Sequence, residues 1–235
     1  MKRTVILSTN DDPKYFHYLK WCQLAWKKCG WDTLTFYYGS TKLENAGEYL
    51  TDSHNEMVDL SGESFDYRDE TIVQCIRLLG GNYIMDGLVM LGDVDMLPMQ
   101  NYWNPNPDQI TSYGYDLTGR SEIPMCYVSA PAAKWRRLFP ENSLIELLDK
   151  LPNAKSDDWN LWWSVDQQVL TKRLKTHGID CFVDRGLVGG LARGRVDRYD
   201  WAGTLNQPGE KIDAHMPRPY DELACETIIS MIIKK

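Results

Sequence analysis

Strand-length apolar runs alternate with helix-length amphipathic stretches over residues 4–92, and that alternation leaves few folds open to the chain. Thr4 to Thr9 is β-branched and apolar and runs into Asn10-Asp11-Asp12-Pro13, as a strand runs into a loop. Tyr15, Tyr18, Leu19, Cys22, Trp26 and Cys29 then recur at helical spacing until Gly30. Thr33 to Tyr38 predicts a second strand, and residues 39–64 read as loops with one short strand over Met57 to Leu60. Asp69 to Leu79 predicts a helix that buries Ile72, Val73, Ile76 and Leu79 and stops at Gly80-Gly81. Leu88-Val89-Met90-Leu91-Gly92 supplies the next strand. The order predicts an α/β sheet of the nucleotide-binding kind, whose ligands gather at the carboxyl ends of the strands. Ser8, Thr9 and Asn10 fall at that end of the first strand, and Asp93 and Asp95 at that end of the third.

The second half is less regular. Trp103-Asn104-Pro105-Asn106-Pro107 reads as a rigid loop, Ile110 to Leu117 and Met125 to Ser129 as strands, and Pro131 to Leu138 and Leu144 to Leu151 as helices. Ser164-x-x-Gln167 has the form of a capping box, opening a helix that Gly178 closes. Cys181-Phe182-Val183 is a short strand. Gly186 to Gly194 is a glycine-rich loop without the strand and helix that a dinucleotide fingerprint requires. The final run, Ile228 to Ile233, is too short to span a bilayer and reads as a packed terminal helix.

At 235 residues the chain has the size of one domain. A net charge of −7 argues against nucleic acid as a main partner, while leaving room for a nucleotide whose phosphates a metal neutralises. The 6 cysteines show no Cys-x-x-Cys pair, and no secretion signal precedes them, which predicts free thiols in a reducing, cytoplasmic setting. Cys22 and Cys29 share one predicted helix at a separation of about 10 Å along its axis, too far for a disulfide.

Asp93-Val94-Asp95 carries the chemistry. In an extended chain residues i and i+2 face one side, so the two carboxylates are expected to share a target. Two hard oxygen ligands with no Cys or His beside them suit Mg²⁺ or Mn²⁺, with a substrate phosphate completing the shell. The competing reading is a plain strand-end turn, where aspartate is common.

The strand ending at Thr9 and Asn10, the helix with Gln74 and Arg77, and Leu88 to Met96 with its Asp-x-Asp form one set of landmarks. Trp163-Ser164-Val165-Asp166-Gln167-Gln168-Val169-Leu170 and a late His215 complete it. Together they resemble the GT-A class of nucleotide-sugar glycosyltransferases, in the small form found in bacterial and viral surface-glycan pathways. The match covers most of the chain as a pattern and is strongest over residues 1–100. It implies a single GT-A-like, Rossmann-related mixed α/β sheet flanked by helices, with residues 1–100 as the donor half and 101–235 as the acceptor half. It further implies metal-dependent transfer of a sugar from a UDP- or GDP-sugar, UDP favoured, to a glycan or other hydroxyl acceptor, without a transmembrane segment. In that class the Asp-x-Asp sets Mn²⁺ or Mg²⁺ on the donor diphosphate. The resemblance maps this to Asp95 in direct contact and Asp93 at the ribose or a metal-bound water, with His215 completing the metal shell. Thr9, with Asn10 beside it, corresponds to the nucleoside-binding position.

Around this frame several residues keep two readings. Glu70, Gln74 and Arg77 share a helical face, which is either solvated or, for Arg77 above all, aimed at diphosphate or base. Asp166, in the first turn of its helix, either serves the helix dipole or acts as the base that an inverting transfer needs. Asp158 is the second choice for that role, and Asp157 competes for it. Trp159, Trp162 and Trp163 suit an acceptor-sugar platform, and the adjacency of the last two puts at least one of them in the core. Arg193 and Arg195 either close over phosphates or stay solvated.

Two other classes remain. A phosphatase of the haloacid-dehalogenase type also places Asp-x-Asp after an apolar strand, but near the N-terminus and with Thr or Val where Leu97 stands. A non-catalytic glycan- or nucleotide-binding protein would keep the fold alone.

Overall fold

In a computed structural model, residues 1–45, 49–101, 103, 105–113, 122–179, 181–183 and 194–233 are described. The core is a seven-stranded sheet. Its strands are β1 (Arg3–Thr9), β2 (Asp32–Tyr37), β3 (Asn55–Asp59), β4 (Leu88–Gly92), β6 (Ile110–Ser112), β7 (Tyr127–Pro131) and β8 (Cys181–Val183), in the order β3-β2-β1-β4-β7-β6-β8. The first four run parallel; β7 is antiparallel to both β4 and β6, and β8 is parallel to β6. The sheet is therefore mixed and flanked by helices on both faces. A strand covered on both sides reads as a continuous apolar run. In β1, Val5 and Leu7 join one core and Ile6 the other, and all three are fully buried.

Helix α2 (Leu19–Lys28) and the C-terminal helix Glu222–Ile233 cover the first face, through Leu19, Cys22, Trp26, Cys225 and Ile228. Helices α3 (Asp69–Ile76), α4 (Ala132–Leu138), α5 (Leu144–Leu148) and α7 (Val165–Thr176) cover the second. Cys22 and Cys29 are free and buried. No helix among the described residues is long and apolar enough to cross a membrane.

Several local expectations need correction. The first predicted helix is two, α1 (Pro13–Phe16) and α2, with a step at His17-Tyr18 that turns the Tyr18 ring fully inward. Its hydroxyl donates to the Pro217 carbonyl and so ties α2 to the C-terminal segment. The strand predicted near residue 57 begins at Asn55, the strand from Met125 lies at Tyr127–Pro131, and that from Ile110 is described only to Ser112. Ser164 does not cap α7 with its side chain. The short helix α6 (Trp159–Trp162) leads almost directly into α7, and Ser164 Oγ instead accepts from Gln168 Nε2 at 3.0 Å. None of Trp159, Trp162 and Trp163 is in the core. The glycine-rich stretch with Arg193, apart from Gly194, lies outside the described residues.

Most consequential is Asp93–Asp95. This tripeptide is a turn between two sheets, with Met96 N–H donating to Asp93 O at 3.1 Å, and is not the end of an extended strand. The chain then enters a small second sheet of β5 (Met96–Pro98), β9 (Arg195–Val196) and β10 (Asp213–His215), in the order β5-β10-β9. Antiparallel register places His215 opposite Met96, so a residue late in the chain arrives beside the turn.

Arg77 is on the tighter helical turn Arg77–Asn82 that continues α3. That turn is pinned by Trp135, whose Nε1 donates to Leu78 O at 2.6 Å. A Cβ on Gly81 would lie 2.5 Å from a Trp135 ring carbon. Overpacking of this kind costs about 1–3 kcal/mol, so Gly81→Ala should lower the midpoint of thermal unfolding by several degrees. An unchanged midpoint in a calorimetric scan contradicts this packing.

Candidate active site

A cavity of about 360 Å³ opens at the carboxyl ends of β1 and β4. Ser8, Thr9 and Asn10 line it at the end of β1, and Asp93, Val94 and Asp95 line it from the turn after β4, as the topology of open α/β sheets directs. Helix α3 contributes Glu70 and Gln74, α7 contributes Asp166 and Gln167, and β10 contributes His215.

Arg77 joins three of these elements. It is 7% exposed; Nη1 donates to Asp93 Oδ1 and, at 3.2 Å, to Gly92 O, and Nη2 donates to Asp166 Oδ2 at 2.8 Å. Burial alone would weaken its hold on the proton, but the two carboxylates outweigh that and raise its pKa. Asp166 is 1% exposed. Burial pushes its carboxyl above the ordinary range, against the pull of Arg77 and of the Gln167 N–H, which donates to Oδ1 at 2.8 Å. Both of its oxygens are engaged. The geometry therefore makes Asp166 a group that positions Arg77.

Asp95 is the centre of a second cluster. It is 4% exposed, and its Oδ2 accepts from Arg198 Nη2 at 2.6 Å and Arg218 Nη2 at 2.7 Å. His215 Nε2 is 3.8 Å from the same oxygen. Burial favours the neutral acid, but Arg198, His215 and Arg218 prevail and lower its pKa. Burial pushes His215 down to about 4, helped by Arg198 and Arg195 against Asp95, so the ring is neutral near pH 7. Arg218 also lies over the Tyr15 ring, 4.2 Å from its centroid.

Asp93, Asp95 and a neutral His215 are donor types that suit Mn²⁺ or Mg²⁺. They are not assembled as a cage. No three His, Cys, Asp or Glu side chains among the described residues are grouped to hold a metal ion. The expectation that both acids point at one target is met only in that both line the cavity, since Asp93 bonds Arg77 while Asp95 bonds Arg198 and Arg218.

Thr9, Asn10, Arg77, Asp93, Asp95, Asp166 and His215 thus come together. Asp158 does not: it caps α6, accepting from Asn160 N–H at 2.9 Å, and is absent from the lining. Asp157 pairs with Arg68 at the surface. Arg195 is not a loop residue over phosphates but a strand residue, bound to buried Asp213 through Nε and Nη2. Sequence reasoning missed Tyr15, Arg198, Tyr199 and Arg218. Beside the cavity, Trp163 stacks on Trp159 at 5.3 Å and 15°, and Trp159 is 52% exposed.

No protein-family model matches the chain, and no curated protein matches it in sequence. Solved structures match it in shape. The glycosyltransferase GlyE of Streptococcus pneumoniae TIGR4 superposes with a TM-score of 0.53 at 11% identity, over 99% of this chain and 60% of GlyE. The galactosyltransferase LgtC, in complex with donor and acceptor sugar analogs, gives 0.50 at 12% identity, over 98% of this chain and 95% of LgtC. An active-site glutamine-to-glutamate variant of LgtC gives 0.51 at 12%. The chain therefore has the GT-A-like fold of these glycosyltransferases, and it spans about 60% of the length of GlyE.

Removing Arg77 leaves two carboxylates without their shared cation, a loss of about 3–5 kcal/mol for a broken buried pair. A carboxyl whose folded pKa is raised adds stability below its ordinary value and loses it as pH rises through the folded one. Arg77→Met raises Asp166 further, so the variant should lose more stability at pH 8 than at pH 5. Asp166→Asn in the same background should recover part of the pH 8 loss in urea unfolding. Equal losses at both pH values and no recovery contradict the bridge.

Proposed function

We propose that this protein is a glycosyltransferase that moves a sugar from a nucleoside-diphosphate sugar, with UDP-sugar the favoured donor, to a hydroxyl acceptor. One observation carries the reading: a single cavity at the strand ends gathers Thr9 and Asn10 at the end of β1, the Asp93–Asp95 turn after β4, Arg77 and His215. The fold shared with GlyE and LgtC supports it, as does the capture of donor and acceptor sugar analogs by LgtC.

The roles follow from position. The nucleoside is assigned to the Thr9–Asn10 edge and the diphosphate to the Arg77 and Asp95 side. Asp93, Asp95 and His215 would hold a divalent cation, which when bound supplies positive charge to the departing diphosphate. Asp166 holds Arg77 in place, and we assign it that positioning task rather than proton abstraction. An active-site glutamine is altered in the LgtC variant. Here Gln74 and Gln167 line the cavity; Gln74 donates to Trp163 O at 3.0 Å, which leaves Gln167 as the amide we place beside the reacting sugar. Trp159 and Trp163 present stacked faces for an acceptor glycan. The phosphatase alternative places its Asp-x-Asp near the N-terminus, whereas here the motif follows the fourth strand of the chain, β4.

Ligand that binds only the native state adds about 2.7 kcal/mol at a hundredfold excess over Kd. UDP or GDP together with Mn²⁺ or Mg²⁺ should therefore raise the thermal midpoint by several degrees. Neither component alone should do so, and Asp95→Asn should abolish the gain relative to its own baseline. A nucleotide response that is the same with a chelator present contradicts the cation's role, and no response to any nucleotide contradicts the reading itself.

A further inference from the structure

The Asp95 oxygen that faces His215, Oδ2 at 3.8 Å from Nε2, is already taken. It accepts from two guanidinium groups, at 2.6 and 2.7 Å. A divalent cation and two guanidinium groups cannot share one oxygen at such distances. Coordination there requires Arg198 and Arg218 to let go.

Where they go is set by charge. Asp93, Asp95 and Asp166 are matched by Arg77, Arg198 and Arg218. Asp12 and Glu70 leave the lining as a whole negative. A diphosphate entering alone meets net repulsion, and a cation entering alone must strand two displaced arginines. A cation carried in with its diphosphate meets neither obstacle, because the phosphate oxygens receive the guanidinium groups that the cation displaces.

Two further features support the exchange. The Arg198 side chain is 6% exposed, yet its Nε is buried without a hydrogen-bond acceptor among the described residues, a donor that an added anion would satisfy. Arg218 keeps a second seat on Tyr15 and so stays at the cavity when it leaves Asp95.

We infer that Arg198 and Arg218 are diphosphate-binding residues of the donor site and that they trade Asp95 for the diphosphate as the cation arrives, so that cation and nucleotide bind only as a pair. This rests on the transferase reading above and names residues that reading did not.

Isothermal titration of the full chain with MnCl₂, UDP and GDP tests it. Wild-type protein should bind Mn²⁺ at least tenfold more tightly once a nucleotide saturates it. Arg198→Met/Arg218→Met should shift the two affinities in opposite senses: Mn²⁺ alone binds more tightly than to wild type, while UDP or GDP with Mn²⁺ binds at least tenfold more weakly. A misfolded variant loses both, so the opposite signs exclude simple damage. Arg218→Met alone, at a side chain 33% exposed, should show the same signs at smaller size and serves if the double variant does not fold. Mn²⁺ binding to wild type that is indifferent to nucleotide overturns the exchange and leaves the transferase reading standing, as does a folded arginine variant with unaltered nucleotide affinity. Failure of wild type to bind either nucleotide with Mn²⁺ overturns the transferase reading, and the exchange with it.

Discussion

Arg77 is the guanidinium on which the site is hung. It stands where α3 tightens into a 3₁₀ turn, beneath the end of β4, and grips that end through the Gly92 carbonyl and the Asp93 carboxylate while its other arm holds Asp166 on α7. A buried cation between two acids is held in place because desolvation penalises any member that leaves its partner. β4 with the Asp93–Asp95 turn after it, α3 with the helical turn that continues it, and α7 through Asp166 are fixed to one another beside the cavity. Gln167 and Trp163, on either side of the Ser164–Asp166 segment, are positioned by the same tie.

The opposite wall depends on a much smaller structure. β5, β9 and β10 have three, two and three residues, and they bring the 195–218 region back onto the Asp93–Asp95 turn. Met216 N–H donates to Asp95 O at 2.9 Å, which seats the segment after β10 on the turn itself. Arg195 and Asp213, paired across the β9–β10 register, close the edge of this sheet. The two ionic clusters meet at Val94: Asp93 bonds Arg77 on the helical turn after α3, and Asp95 bonds Arg198 and Arg218, which follow β9 and β10.

What was legible in the sequence was whatever one periodicity determines. β1, β2 and β4 are buried on both faces and so appear as unbroken apolar runs, and α3 carries Ile72, Cys75 and Ile76 at helical spacing toward the sheet. The two ends that hold Thr9 and Asp93 followed from topology alone. The extended reading of Asp93-Val94-Asp95 did not hold, because a turn that hands the chain from one sheet to another has the same composition as a strand end. Arg198 and Arg218 were invisible for another reason: each is an isolated charge in a polar segment, and only the pairing of three-residue strands places them at Asp95. Adjacency predicted that at least one of Trp162 and Trp163 is core, yet α6 buries none of its residues and Trp163, stacked on the exposed Trp159, is only half-buried.

The central claim is that this cavity breaks the bond between a sugar and a nucleoside diphosphate. Incubation with a panel of UDP- and GDP-sugars and Mn²⁺, followed by proton NMR of the anomeric region, tests it most directly. The account predicts slow appearance of free sugar and nucleoside diphosphate from at least one donor without any acceptor, faster turnover when a glycan acceptor is added, and loss of both in Asp95→Asn. Intact donors across the whole panel, from protein that is folded and binds the nucleotide with its cation, would contradict it.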